Sequence, residues 1–509
     1  MASEPGGSTS EPPVTSRAER IIDDVGEALR EGLLPSVVYN DEEVYQAELQ
    51  RIFGEQWVFV GHESEVAEPG DYAKRYIGED PFIFTRDEDG TVRVLFNSCR
   101  HHGSQVCKAE QGNTSAFRCP YHGWVYKNTG ELVNLPYEEE YEDIDTAEWG
   151  LLSARVDTYN GLVFATVNED APSLEEYLGG MTWYLDIQLD LAEEGMEVVG
   201  EPHRWEVGAN WKTGADNFAG DTDHTQTAHL SIFEVGLFGQ KEVASPDERY
   251  EHIHHVTDCD GHALSLGMQA PEAEIFYGYP EEYVSSEGLT DKQFEIARRS
   301  FLNFGTVFPN VSIIHGIQSG GWGGPWACIR KWNPRGPGTT ETTSWWLVPK
   351  EFAGDEAFMH DSHRGWESLS PGGAFESDDL TIWEGISDSG KAVTHELRDT
   401  HGNMQQGLGA MSDEVETVDD PLHGPAEVTT KGLYFDERNS RTILRAWQEM
   451  MAAGDPVGGP ADPGGDGGAG DPTVEADGGC PGGAGPGVDD HPEACGAPEV
   501  CGDDPEVDE

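Results

Sequence analysis

The chain has 509 residues, with 96 acidic against 31 basic side chains and a formal net charge of −65. So few cations, and no basic stripe, leave nothing to neutralise a phosphate backbone, which excludes nucleic acid as a partner. No run of about 18 apolar residues exists to span a membrane, the polar Ser/Pro-rich N-terminus lacks the apolar core of a signal peptide, and eight cysteines in such a length do not suggest a disulfide scaffold. A cytoplasmic chain is expected. The last 56 residues carry 15 acids and no Lys or Arg, yet without them the excess of acids is still 50, so the acidity belongs to the whole surface. Self-repulsion on that scale is relieved by screening counterions, and it predicts a chain adapted to high internal salt.

Residues 1–18 read as disordered. Ile21, Ile22, Val25, Leu29 and Leu33 predict a helix over 21–34, and a second amphipathic stretch runs from Glu42 to Phe53, so residues 19–55 form N-terminal helices packing on a later domain. From Trp57 the pattern changes to short strands: QWVFVGH, DYAKRYI, PFIFTRD, then an Asp89-Gly90 turn into TVRVLFN, with GLVFATV closing an all-β module over 56–170. Residues 171–453 read as mixed α and β. EVVGEPHRWEVGANW is strand material, HIHHVTDCDGHALSL a strand pair about Asp260-Gly261, and TDKQFEIARRSFLNF a helix capped by Thr290 or Asp291. FPNVSIIHGIQS, WACIRKWNP and TTETTSWWLVP have the β-branched and aromatic content of one sheet, and a last helix from Arg438 to Ala453 puts Ile443, Leu444, Trp447 and Met451 on one face. The tail, 454–509, has 16 Gly, 9 Pro and no aromatic residue, and is expected to be disordered.

Two constellations carry chemistry. Cys99-x-His101 and Cys119-x-x-His122 form two clamps that fit a [2Fe–2S] cluster with histidines on its second iron. A zinc ion accepts the same four ligands. Against zinc, each clamp mixes Cys with His, the second continues as Tyr121-His122-Gly123-Trp124 with an aromatic lid, and a second redox-type site follows in the same chain. That site is Asp221-x-x-His224-x4-His229, two histidines and a carboxylate, the ligand types of a non-heme Fe(II) with open positions for dioxygen. Asn217, Asp221 and His224 fall at i, i+4 and i+7 on one side of a helix, whereas His229 requires a π-bulge or a helix end in between.

The segment from Trp57 through GHESEVAEPGDY, NSCRHHG and CPYHGWVY resembles the Rieske domain of aromatic-ring-hydroxylating dioxygenase large subunits, and NWKTGADNFAGDTDH, FPNVSI and FESDD resemble their catalytic domain. The likeness covers most of residues 40–450 in matching order. It implies an α+β fold: an all-β Rieske [2Fe–2S] domain set before or within a catalytic domain of helix-grip, START-like type, an antiparallel sheet covered by helices. By position it implies that His224 and His229 ligate iron together with Asp379 of the FESDD run, Asp378 being the fallback. Asp221 is then no ligand: it bridges His224 to His122 of an adjacent chain, and Asn217 lies near the iron. Phe218, Leu369 and Phe375 resemble pocket linings. Two positions depart from the pattern, His102 for the usual arginine and Asp223 for a common aromatic residue.

The implied function is a terminal oxygenase that uses O2 and electrons, ultimately from NAD(P)H through a ferredoxin or reductase, to cis-dihydroxylate an aromatic ring. One cluster and one mononuclear Fe(II) per chain are implied, in a homotrimer or an α3β3 assembly with a small β subunit. The alternatives are a Rieske monooxygenase or demethylase, and an electron-transfer protein without a working second iron. His252, His254 and His255 read as strand residues, Cys107, Cys259 and Cys328 as core or hairpin residues, and Cys480, Cys495 and Cys501 match no ligand template.

Overall fold

The computed structural model describes residues 15–221, 224–234, 253–258, 260–280, 284–317, 324–398, 400–408, 424, 427–429 and 436–454. The tail beyond 454, Asp223, His252 and Cys259 therefore lie outside the described residues, as does the N-terminal stretch up to residue 14. The first helix starts before the expected boundary, at Arg17, because the Ser16 side chain accepts from the Glu19 N–H. It spans Arg17–Ala28, and the chain then tightens through Leu29–Glu31 to Gly32 (φ +68°). The helix expected to reach residue 34 is thus cut short, because Leu33–Pro35 pair with His401–Asn403 as strands. The second helix, Glu42–Arg51, is capped by Asp41.

Between residues 58 and 166 all strand pairs are antiparallel and short. Val58–His62, Leu162–Thr166 and Arg155–Tyr159 form one sheet, and Val92–Phe96, Asp80–Arg86, Asp71–Ile77 and Gln111–Asn113 form another. A third, Ala116–Arg118, Val125–Lys127 and Leu132–Asn134, supports one of the cysteine turns. Among the ties of this lobe to the rest are two buried side chains of one long strand. Lys331 Nζ donates to Tyr76 O at 2.6 Å and Asn333 Nδ2 to Gly78 O at 3.1 Å.

The large sheet of the remaining lobe has nine antiparallel strands among the described residues. Its path runs Met196–Val198, Thr339–Pro349, Pro325–Gly336, Val311–Ile317, Ser300–Val307, Ala263–Met268, Ile253–Thr257 and Glu427–Thr429, with His203–Val207 also pairing Thr339–Pro349. The helix expected through SFLNF stops at Arg299: Thr290 and Gln293 form its capping box, and pairing with Ala263–Met268 draws the chain from Ser300 into a strand. Across this sheet lies the helix Trp211–Gly220. A Cβ on Gly214 would run into the Trp332 ring, so glycine lets helix and sheet approach closely. The C-terminal helix, Arg438–Ala452, packs on that helix, and Asn439 Nδ2 donates to Ala219 O at 2.7 Å. Ile22 and Val25 of the first helix join Ile443, Leu444 and Trp447 in one core.

Candidate metal centres

The two clamps form a matched pair of turns. Gly103 N–H donates to Cys99 O at 2.8 Å and Gly123 N–H to Cys119 O at 3.1 Å, each glycine in the left-handed region (φ +74° and +80°) that lets the turn close. The closure sets the buried Cys99 and Cys119 thiols close enough for each to feel the other's charge. It also sets the His101 and His122 rings 4.6 Å apart. Nδ1 of His101 is buried with no hydrogen-bond partner, a lone pair that a metal ion would satisfy. Trp124, stacked on His101 at 5.1 Å with an interplanar angle of 2°, is the lid, while Tyr121 stays 65% exposed beside His122. Asn97, which the motifs did not single out, holds the first turn by accepting from Val106 and Cys107 N–H, both at 2.9 Å. Cys107 is buried and outside the thiol pair, as expected.

Tyr126 closes the segment CPYHGWVY, but nothing in the sequence assigns it a role. Its hydroxyl accepts from Arg100 N at 3.0 Å and lies 3.3 Å from Cys99 Sγ, to which it would donate once that sulfur is a deprotonated cluster ligand. A hydrogen bond to a cluster sulfur stabilises the more negative, reduced form. Tyr126→Phe is therefore expected to lower the cluster's reduction potential by on the order of tens of millivolts, read by redox titration of its absorption; an unchanged potential would remove the hydroxyl from that role.

The second centre is built differently from the single helix face that spacing suggested. The helix ends at Gly220, Asp221 is its C-terminal cap, His224 starts a separate short turn at His224–Gln226, and His229 directly precedes the helix Leu230–Glu234. The break comes earlier than expected, at Gly220 and so before His224, and it is a helix end and not a π-bulge. The turn still gathers the residues: Asn217 Nδ2 lies 3.4 Å from His224 Nδ1, and Asp221 Oδ2 lies 3.3 Å from the same atom. Nε2 of His224 and Nε2 of His229 both face Asp379 Oδ1, at 3.6 and 3.4 Å. Donor atoms of these three residues lie within 4.8 Å of one another, the residue types that hold Fe(II). Asp379 and Asp378 come from the first turn of the helix Glu376–Gly390. Asp221, the carboxylate in the spacing-based set, sits instead on the outer nitrogen of His224.

Electrostatics follow this layout. Burial pushes the Asp379 carboxyl up to about 7, against the nearby His224. Burial, with the charge of His224, takes His229 down to about 4, leaving it neutral and able to ligate at neutral pH. Burial also lowers His224, but the hydrogen bond and charge of Asp221 outweigh it and the net direction is upward. Asp221 and His224 open onto a cleft of about 370 Å³ that also carries Asp216, Asp436 and Glu437. Burial foremost, then the charges of Asp221 and Glu437, push Asp216 up to about 7. Phe375 meets the His229 ring edge-on at 5.0 Å, and Phe218 and Leu369 are buried.

Arg330 is a further residue missed in the sequence. Fully buried, it donates to Glu376 Oε2 at 2.7 Å and to Leu369 O, and so fixes the start of the helix that carries Asp378 and Asp379. His255 is buried against Ser265 and Cys328 is buried in the sheet, both structural as expected. No helix among the described residues is long and apolar enough to cross a membrane.

Residues 56–159 match the Rieske [2Fe–2S] domain family, and residues 174–453 match the catalytic domain of ring-hydroxylating alpha subunits. The alpha subunit of chlorobenzene dioxygenase from Cupriavidus sp. (strain PS12) is 34% identical over 438 residues, 84% of this chain and 92% of that protein. The alpha subunit of N,N-dimethyl phenylurea N-demethylase from Sphingobium sp. (strain YBL2) is 37% identical over 390 residues, 73% of this chain and 83% of that protein. Naphthalene 1,2-dioxygenase from Rhodococcus sp., solved with indole bound, superposes with a TM-score of 0.78 at 37% identity, covering 86% of this chain and 99% of that one. With two donor sets of the right chemistry in the two matched domains, the chain belongs to the Rieske non-heme iron ring-hydroxylating dioxygenases, as a large, alpha-type subunit with a [2Fe–2S] cluster and a mononuclear iron.

Proposed function

We propose that His224, His229 and Asp379 hold the mononuclear iron, that Cys99, His101, Cys119 and His122 hold the cluster, and that the substrate is a small aromatic ring oxidised to a cis-dihydrodiol. The observation that carries this reading is the convergence of both imidazole Nε2 atoms on Asp379 Oδ1. When bound, the iron supplies dioxygen activation and the cluster supplies electrons one at a time. The protein's own contribution is positional. Asp221 and Asn217 orient His224 from its outer nitrogen, Phe375 gives an aromatic ring an apolar wall beside His229, and Phe218 and Leu369 belong to the apolar core it packs against.

The electron path we propose runs between copies of the chain. The acidic cleft at Asp221 receives the His122 edge of a neighbouring copy's cluster lobe, so that Asp221 links His224 to His122 of the partner subunit in a homotrimer or an α3β3 ring. The Asp221 carboxylate at the cleft on one side, and the exposed imidazoles of His102 and His122 on the other, can pair as hydrogen-bond acceptor and donor. Electrons reach the ring from NAD(P)H through a ferredoxin or reductase, in the cytoplasm.

Metal and acid-labile sulfide counted on protein purified without oxygen test the cofactor assignment. Three irons, two sulfides and negligible zinc per chain are expected, and zinc without sulfide overturns the reading. Product analysis with benzene, biphenyl and a dimethylated phenylurea then separates the chemistries: a cis-diol supports dihydroxylation, and formaldehyde release without diol replaces it by demethylation.

The net charge of −65 supports a working environment of high salt. The thermal unfolding midpoint is expected to rise by roughly 5 °C between dilute buffer and molar KCl, as screening removes several kcal/mol of repulsion. A midpoint that does not move with salt rules that environment out.

A further inference from the structure

We infer that Asp378 is a positioning residue for His229, the counterpart of Asp221 for His224, so that each ligand histidine of the iron site is held by its own carboxylate. The inference rests on the ligand reading proposed above and adds to it a role for an acid that the sequence left only as a fallback ligand.

The geometry is repeated at the two histidines. His229 presents Nε2 to Asp379 Oδ1 at 3.4 Å and Nδ1 to Asp378 Oδ2 at 3.3 Å. His224 presents Nε2 to the same Asp379 oxygen at 3.6 Å and Nδ1 to Asp221 Oδ2 at 3.3 Å. The two nitrogens of an imidazole point away from each other. An acid on Nδ1 therefore cannot share the metal that Nε2 meets, and this places Asp378 outside the ligand set. What it can do is accept the Nδ1 proton. An imidazole donating from Nδ1 is fixed in the tautomer whose Nε2 carries the lone pair, and the hydrogen bond to a carboxylate raises the basicity of that lone pair.

Asp378 is built into place for this. Its N–H donates to Phe375 O at 3.0 Å, and Glu376, two residues before it, is pinned by the buried Arg330. Its side chain is 34% exposed, against 8% for Asp379 and 3% for His229, so the outer acid borders solvent while the inner one does not. The adjacent pair thus divides its work: Asp379 faces the metal position and Asp378 faces the back of the ring. Phe375 supports the same ring only by edge contact at 5.0 Å, which restrains its plane but selects no tautomer.

The test uses the full chain carrying Asp378→Ala, Asp378→Asn or Asp378→Glu, with Asp379→Ala and His229→Ala as controls. Two readouts serve: retention of the mononuclear iron against a chelator, and the EPR rhombicity of its nitric oxide adduct, with the cluster signal as an internal count of folded chains. For Asp378→Ala, iron retention is expected to fall roughly 10- to 100-fold with an altered adduct signal. Asp378→Asn, which keeps an acceptor without the charge and tolerates the helix start, is expected to lie between, and Asp378→Glu to restore both readouts. A merely structural role at the helix start would shift the melting midpoint and leave the adduct signal alone. Wild-type retention and signal in both Asp378→Ala and Asp378→Asn, while Asp379→Ala empties the site, overturns the role of Asp378 alone. Wild-type retention in Asp379→Ala and His229→Ala overturns the ligand reading beneath it.

Discussion

Replacing Glu48 with alanine is expected to destabilise the protein by about 3–5 kcal/mol, the cost of leaving a buried charge without its partner. The Glu48 carboxylate is fully buried and accepts three donors: Lys212 Nζ, Trp211 Nε1 at 3.0 Å and Trp447 Nε1 at 2.7 Å. These belong to three separate elements, the N-terminal helix Glu42–Arg51, the helix Trp211–Gly220 that leads to the iron residues, and the C-terminal helix Arg438–Ala452. Burial lowers the Lys212 pKa, and Glu48 alone among its neighbours opposes that shift. Without Glu48 the ammonium must lose its proton or draw in water, and two indole N–H groups lose their acceptor. The double variant Glu48→Leu with Lys212→Met is expected to recover most of the loss, because it removes both charges and keeps the volume. Denaturant unfolding in molar KCl, followed by tryptophan fluorescence, measures both. A Glu48→Ala midpoint within error of wild type would deny the three-helix tie.

That tie marks the boundary of what the sequence made legible. The cluster donors are readable because Cys99, His101, Cys119 and His122 lie in two short turns whose geometry is local: each turn closes on its own glycine. Strands such as Asp71–Ile77 and Val311–Ile317 were equally plain, since alternation and β-branched content reflect a buried sheet. Failures cluster where distant pairing decides. The helix expected over residues 290–304 yields to a strand at Ser300, and the one expected to reach residue 34 ends early for a ribbon with residues 401–403. Spacing put Asp221 in the ligand set because it is near His224 in sequence. The carboxylate that meets both Nε2 atoms comes from Asp379, and only the resemblance pointed there. Glu48 with Lys212, and Arg330 with Glu376, carry no signal at all. Their partners are 164 and 46 residues away, and a lone charged residue in a sequence reads as solvated surface.

His224→Ala is expected to abolish product formation, by roughly three orders of magnitude or more, while the cluster keeps its absorption and EPR signal. The two effects separate because the donor sets sit in different lobes. The cysteine turns rest on the small sheets of their own lobe and on hydrogen bonds, none of which involves His224. At the second centre the substitution removes one of three converging donors and also strips Asp221 of the Nδ1 atom it faces. Asp221→Asn gives the informative contrast. Its ligand set is intact and the amide oxygen still accepts from Nδ1, so the protein is expected to keep its mononuclear iron in the absence of a chelator. Product formation is nevertheless expected to fall, because the charged link toward a neighbouring copy's His122 is lost, and reoxidation of a chemically reduced cluster by O2 with substrate slows. Iron content, cluster reoxidation rate and product yield, measured together on both variants, assign the residues independently. Loss of product with iron gone identifies a ligand, and loss of product with iron kept identifies the link. A His224→Ala protein that still forms diol would remove His224 from the iron site altogether.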